Sequence, residues 1–190
     1  MRFLLIALLS SLCIPLPGTV ASLRAQVPTT ESFAALMDSM GVSIIQPLTG
    51  EFKVEPNQEN DYLDDQLTVY SKQEKLEMRF SLRAIPETDI YHGRPQLLVS
   101  TLALNLGSND EDAVTTVHSF GDEELAVFNA DWAVMYTFRP KRSYSDRTHA
   151  QLVAAYREGV GMAYTLLLFD KVPPTVEDRQ LSLTFGNPKQ

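Results

Sequence analysis

The sequence predicts an α+β domain: an antiparallel β-sheet with helices packed on it. Three observations lead there. A helix-period segment stands at residues 31–40, period-two alternation runs through much of 66–85 and 132–169, and a Pro-headed apolar segment at 95–106 separates the two strand blocks. A chain of 190 residues, 44% hydrophobic and 21% charged, suffices for one packed core and is short for two domains of ordinary size. Its 11 Pro and 9 Gly are scattered and show no repeat, which excludes collagen-like and low-complexity architectures.

The elements follow in order. Thr30 is a cap for a helix whose apolar positions are Phe33, Leu36, Met37 and Met40, with Gly41 as its stop. Short strands are expected at Val42 to Ile45 and at Glu51 to Glu55. Residues 66–71 and 76–85 form a hairpin across Lys72 to Lys75, because Leu76, Met78, Phe80, Leu82 and Ala84 alternate with Glu77, Arg79, Ser81 and Arg83; the first set is the core face and the second the wet one. Pro95 heads a helix with Leu97, Leu98, Leu102 and Leu106, ended by Gly107, and a buried strand over Leu98 to Leu104 is the alternative. Ser108 with Glu111 resembles a capping box, so a second helix is expected over 109–119. Strands then follow at 125–128, 132–139, 149–157 and 160–169, with turns at Asn129 to Asp131 and at Glu158-Gly159. Thr175 and Asp178 suit the start of a terminal helix.

The first 25 residues read as a signal peptide. Arg2 supplies a positive start, Phe3 to Leu16 an apolar stretch too short to span a bilayer, and Pro15, Pro17 and Gly18 break it before small residues. Cleavage after Ala21, Ser22 or Ala25 fits, and Ala25 is favoured, so the mature chain starts at Gln26 with no transmembrane segment left. Residues 26–41 are then a tail and helix, and 42–187 one domain. The lone Cys13 follows Leu12, a poor setting for lipoprotein acylation, and leaves with the leader. Disulfides and cysteine chemistry leave with it. The expected compartment is secreted or periplasmic.

Charge narrows the partners. The chain carries 16 basic and 24 acidic residues; without Arg2 and Arg24 the balance is 14 against 24, a net charge of −10. Nucleic acid is therefore not an expected partner, since phosphate neutralisation needs a basic surface. Within this acidic chain the hairpin after Trp132 is a local inversion: Asp131 and Trp132 open the strand, and Arg139, Lys141, Arg142, Tyr144 and Arg147 follow it. Arg beside Tyr and Trp is the residue mixture of interface hot spots, so these seven residues are the candidate binding site for a protein partner. The plainer reading makes Trp132, Val134, Tyr136 and Phe138 core and the charged loop a solvated connection.

Enzymatic motifs are missing. His92, His118 and His149 lack ligand spacing, and no nucleophile elbow, phosphate loop or dinucleotide fingerprint occurs. Two acidic runs, 59–65 and 110–124, lack the calcium-loop pattern. Asp61, Asp64 and Asp65 are the better place for a calcium ion; otherwise no cofactor is expected. Tyr70, Tyr91, Tyr136, Tyr156 and Tyr164 would line a cavity if the protein carried a small ligand.

The stretches Leu67 to Tyr70 with Leu76 to Ile85, Asn129 to Phe138, Tyr156 to Tyr164 and Leu181 to Phe185 are similar to the PsbP and DcrB-like superfamily, over roughly residues 42–185. The likeness is one of strand order, and Pro95 to Phe120 fits it loosely. It implies an α/β/α sandwich acting as a non-enzymatic binding or accessory protein of the cell envelope that docks a protein partner. A small-ligand or divalent-cation carrier is the alternative.

Overall fold

A computed structural model describes residues 29–45 and 51–186; the leader expected at 1–25 lies outside the described residues. Helix α1 (Glu31–Met40) begins where expected. Thr30 Oγ1 accepts from Phe33 N at 3.3 Å, and Gly41 ends the helix with φ 63°, in the left-handed region that glycine enters without penalty. Strands β1 (Val42–Ile44), β2 (Phe52–Glu55), β3 (Leu67–Ser71) and β4 (Leu76–Ala84) lead to α2 (Pro95–Leu106). Then come β5 (Thr116–Ser119), α3 (Asp122–Phe128), β6 (Trp132–Phe138), β7 (His149–Arg157), β8 (Gly161–Phe169), α4 (Val176–Gln180) and β9 (Leu183–Phe185).

Seven strands form one antiparallel sheet in the order β2-β3-β4-β8-β7-β6-β5, while β1 and β9 pair in a separate two-stranded piece. The hairpin side (β2 to β4) meets the meander side (β5 to β8) along the β4–β8 ladder, which runs from Leu76↔Phe169 to Ala84↔Gly161. At its end Gly161 has φ 138°, and a Cβ there would lie 2.2 Å from the carbonyl oxygen of Arg83, so only glycine fits.

Both sheet faces are covered. On one, Leu76, Met78 and Phe80 of β4 with Leu167 and Phe169 of β8 pack under Phe33 of α1, Phe128 of α3, Val176 of α4 and the β1–β9 piece. On the other, Leu152, Ala154, Leu166 and Leu168 lie beneath Val99, Leu102, Ala103 and Leu106 of α2. Each of the buried Val, Leu, Met and Phe side chains contributes about 1.5–3 kcal/mol over exposure. The result is three layers, helix on sheet on helix. Phe33 packs against Phe80 with ring centres 6.2 Å apart and tilted by 37°, so the first helix is built into the same core as the sheet.

Three expectations change. Residues 109–119 are not helical: 116–119 form β5, because β-branched Thr116 and Val117 pair with Thr137 and Tyr136 of β6. The capping box lies further on, where Glu124 Oε2 accepts from Gly121 N at 3.0 Å, so Leu125 to Phe128 belong to α3 rather than to a strand. Finally, the wet face of β4 is only partly wet, since Arg79 and Ser81 are buried, Arg79 against Gln58, Asp65 and Tyr144. Thr175 precedes α4 as expected, but its hydroxyl donates to Glu74 Oε2 at 2.7 Å instead of capping.

Candidate functional site

Helix α2 covers the β6–β8 part of its sheet face and leaves the β3–β4 part to loops. There Arg79, 1% exposed, is held among carboxylates. It lies 3.2 Å from Asp65 and 2.7 Å from Glu77, donates to Gln58 Oε1 at 3.2 Å, and sits over the Tyr144 ring at 4.7 Å. Asp65 also accepts from Asn60 Nδ2 at 3.1 Å and from the Tyr144 hydroxyl at 3.3 Å. Burial pushes the Asp65 carboxyl up to about 6 and outweighs the pull of Arg79; the Tyr144 hydroxyl is pushed up by burial and by the Asp65 charge. The cluster ties the 57–65 and 141–145 segments to the sheet. It can take up or release a proton on the acid side of neutrality, though with its carboxylate shut off from solvent.

An open groove of about 550 Å³ borders this cluster, and its walls carry three arginines, Arg79, Arg142 and Arg147, against three carboxylates, Glu77, Asp146 and Asp170. The balance gives it no sign to attract an ion. A second groove of about 730 Å³ runs along residues 57–65.

The seven residues of the candidate binding site do not assemble. Asp131 accepts from Glu158 N at 2.7 Å and braces the β7–β8 turn, and Trp132 packs half-buried against the α2 side of the core. Both lie at the opposite end of β6 from the loop, roughly 20 Å away along a strand rising about 3.3 Å per residue. In the loop, Arg139 is paired with Asp112 at 2.6 Å and Asp110 at 3.3 Å, Arg147 with Asp170 at 2.9 Å, and Lys141 lies over the Tyr62 ring. Tyr144 is buried. Among the described residues only Arg142 of these cations makes no ion pair or ring contact; of the alternating apolar residues of β6, Val134 and Phe138 are buried in the core and Trp132 and Tyr136 are half-buried against it.

Nor do the three aspartates meet. Asp61 is exposed, Asp64 accepts from Gln66 Nε2, and Asp65 balances Arg79; among the described residues no group of three potential ligands could hold a metal ion. Nor do the five tyrosines line one cavity. Tyr156 and Tyr164 are packed in the α2-side core with Tyr136 half-buried against it, Tyr91 lies under Arg83 and Tyr70 under Arg147. His149 stacks on Phe169 and His118 meets Phe120 edge-on.

What the sequence did not mark is the free margin of the sheet. All four residues of β5 are exposed, and among the described residues it pairs only with β6. Val117 is 57% exposed and Val114 69%, while Leu97 and Leu104 on the outer side of α2 are 52% and 67% exposed. The signal was present in Thr-Thr-Val-His-Ser, a β-rich run between acidic clusters, but the apparent capping box at Ser108 masked it.

No family model, curated protein or solved structure matches the chain.

Proposed function

We propose that this chain is an exported, non-enzymatic accessory protein of the cell envelope, periplasmic or secreted, that docks a protein partner through its α2–β5 side. The observation that carries the reading is the exposure of four large apolar side chains, Leu97 and Leu104 of α2 with Val114 and Val117 in and just before β5, each more than half exposed. Large apolar side chains left to solvent are the material of association surfaces, whereas the loop cations beyond β6 are largely neutralised within the chain. Helices on both faces of an antiparallel sheet support the PsbP and DcrB-like likeness as part of the same proposal. The surface segment overlaps Pro95 to Phe120, the stretch that fits that likeness loosely. The carrier alternative draws less support, because the tyrosines meant to line its cavity are packed or stacked elsewhere.

The test is a photo-reactive residue at Leu104 in intact cells, with one at exposed Ile90 as the comparison. A discrete protein adduct from position 104 and none from Ile90 is expected; no adduct from 104, or equal labelling from both, overturns the reading. N-terminal sequencing of the exported protein is expected to begin at Gln26, and a chain retaining Met1 in the cytosol would defeat the export proposal.

A further inference from the structure

The two margins of the large sheet differ in kind. The β2 margin carries Lys53 and Glu55 and is followed at once by Pro56, the charges and imide that discourage another chain from pairing. The β5 margin, Thr116-Val117-His118-Ser119, has no Lys, no acid and no Pro. Its backbone polarity can be worked out from the ladder. Phe120 N donates to Ala133 O, and Phe120 continues the register Ser119↔Val134, His118↔Met135, so His118 and Thr116 occupy the hydrogen-bonded positions opposite β6. Val117 and Ser119 therefore direct their N–H and C=O groups away from β6. With the strand exposed and no described neighbour beyond it, these four groups form a half-ladder for one more strand.

Charge selects the occupant. Residues 110–124 hold six acids, Asp110, Glu111, Asp112, Asp122, Glu123 and Glu124, and no Lys or Arg, so both ends of β5 are acidic; Arg139 offsets part of one end. A second copy pairing antiparallel, Val117 against Ser119, would set the 110–112 end of one chain toward the 122–124 end of the other, acid against acid. An extended segment with Lys or Arg at its ends and apolar residues facing Val117 meets favourable charge at both ends instead.

Resting on the docking function proposed above, we infer that β5 receives an extended cationic segment of the partner protein as an added antiparallel strand, paired through the backbone of Val117 and Ser119.

The probe is a fluorescent nine-residue peptide of alternating Val and Thr with two Lys at each end; a second peptide has Glu in place of Lys. Saturable binding of the Lys peptide is expected, at least tenfold weaker for the Glu peptide and at least fivefold weaker at 0.5 M than at 0.05 M NaCl. Val117→Pro removes an outward donor that the β5–β6 ladder does not use, so the fold should persist with peptide affinity down at least tenfold. Glu111→Lys with Glu123→Lys leaves the Gly121–Glu124 cap in place and should weaken the Lys peptide at least fivefold while strengthening the Glu peptide. Binding unaffected by Val117→Pro, or by the charge reversal, overturns the inference. So does a concentration-dependent dimer in sedimentation that Val117→Pro abolishes, which would give the margin to a second copy. The two readings separate cleanly: an adduct at Leu104 in cells with no peptide bound at β5 leaves docking standing and removes strand addition, and failure of both removes both.

Discussion

Asp65→Asn tests the energetic balance at the buried cluster. In the folded protein burial holds the Asp65 carboxyl up at about 6, against an ordinary 3.8, although Arg79 lies 3.2 Å away. The folded state therefore binds the proton more tightly than the unfolded chain, and this group's contribution to stability grows as pH falls. It is absent well above pH 6 and complete below about 3.8. Each pH unit inside that window is worth about 1.4 kcal/mol, so moving from pH 7.5 to pH 5 should stabilise the parent by about 1.4 kcal/mol relative to the Asn variant, and the whole window by about 3 kcal/mol. The difference between the two proteins is the quantity to follow, because Glu74 and Asp170, whose arginine partners hold their carboxyls down, act in the opposite direction in both. Urea unfolding at the two pH values, read from the single Trp132, gives both free energies. If the parent instead loses stability relative to Asp65→Asn on acidification, the Arg79 guanidinium outweighs burial at Asp65.

Other substitutions probe the joints of the fold. Gly161→Ala sets a Cβ against the Arg83 carbonyl at a positive φ; a loss of about 2–4 kcal/mol in urea unfolding is expected, and a neutral result would show that the β4–β8 end can part freely. Glu74 receives Arg179 Nη2 at 2.6 Å, Arg179 Nε at 3.1 Å and Thr175 at 2.7 Å, so Glu74→Gln should cost about 1–2 kcal/mol at pH 7. Because Arg179 and Thr175 hold this carboxyl below its usual range, the cost should shrink as pH falls through that lowered value; a constant cost argues against the pairing. Asn129 ends α3 at φ 50° and donates to Phe185 O at 2.8 Å. Asn129→Gly keeps the turn and loses that bond, for about 1 kcal/mol, while Asn129→Ala should cost about 1 kcal/mol more, and equal losses would deny the backbone its role.

Local signals carried much of the architecture. Thr30 and Gly41 bracket α1, the alternation of Leu76 to Ala84 marks β4, and Pro95 opens α2, because each depends on neighbours within a few residues. Two errors share one cause. Ser108 and Glu111 have the spacing of a capping box, but Thr115 to Val117 prefer the sheet, and the box that forms is Gly121 with Glu124. Arg79 was hidden for another reason. Alternation assigns it to a wet face, and only segments 14 and 65 residues away, through Asp65 and Tyr144, cover it. The same distance hides the pairing of the candidate loop: Arg139 and Arg147 look free in sequence, whereas Asp112 and Asp170, 27 and 23 residues distant, pair with them. The β-rich run Thr115 to Ser119 is visible in the sequence, but its place at the margin of the sheet follows from the strand order, which no local pattern encodes.

The β1–β9 pair joins the two ends of the described fold, with Val42 opposite Phe185 and Ile44 opposite Leu183. Its antiparallel sense puts the outgoing ends of both strands on the same side. A load applied to the chain termini would thus part its hydrogen bonds one after another, as a zip opens, whereas the nine-residue ladder of β4 and β8 lies inside the chain and is reached later. Force spectroscopy on the terminally tethered protein should show a small low-force release of the outer strands before the main rupture; a single rupture with no precursor would mean that α1, through Phe33, bears the load instead. A partner seated on β5 would leave that clasp untouched, so its capture and the mechanical opening of the termini are independent events at different places on the sheet.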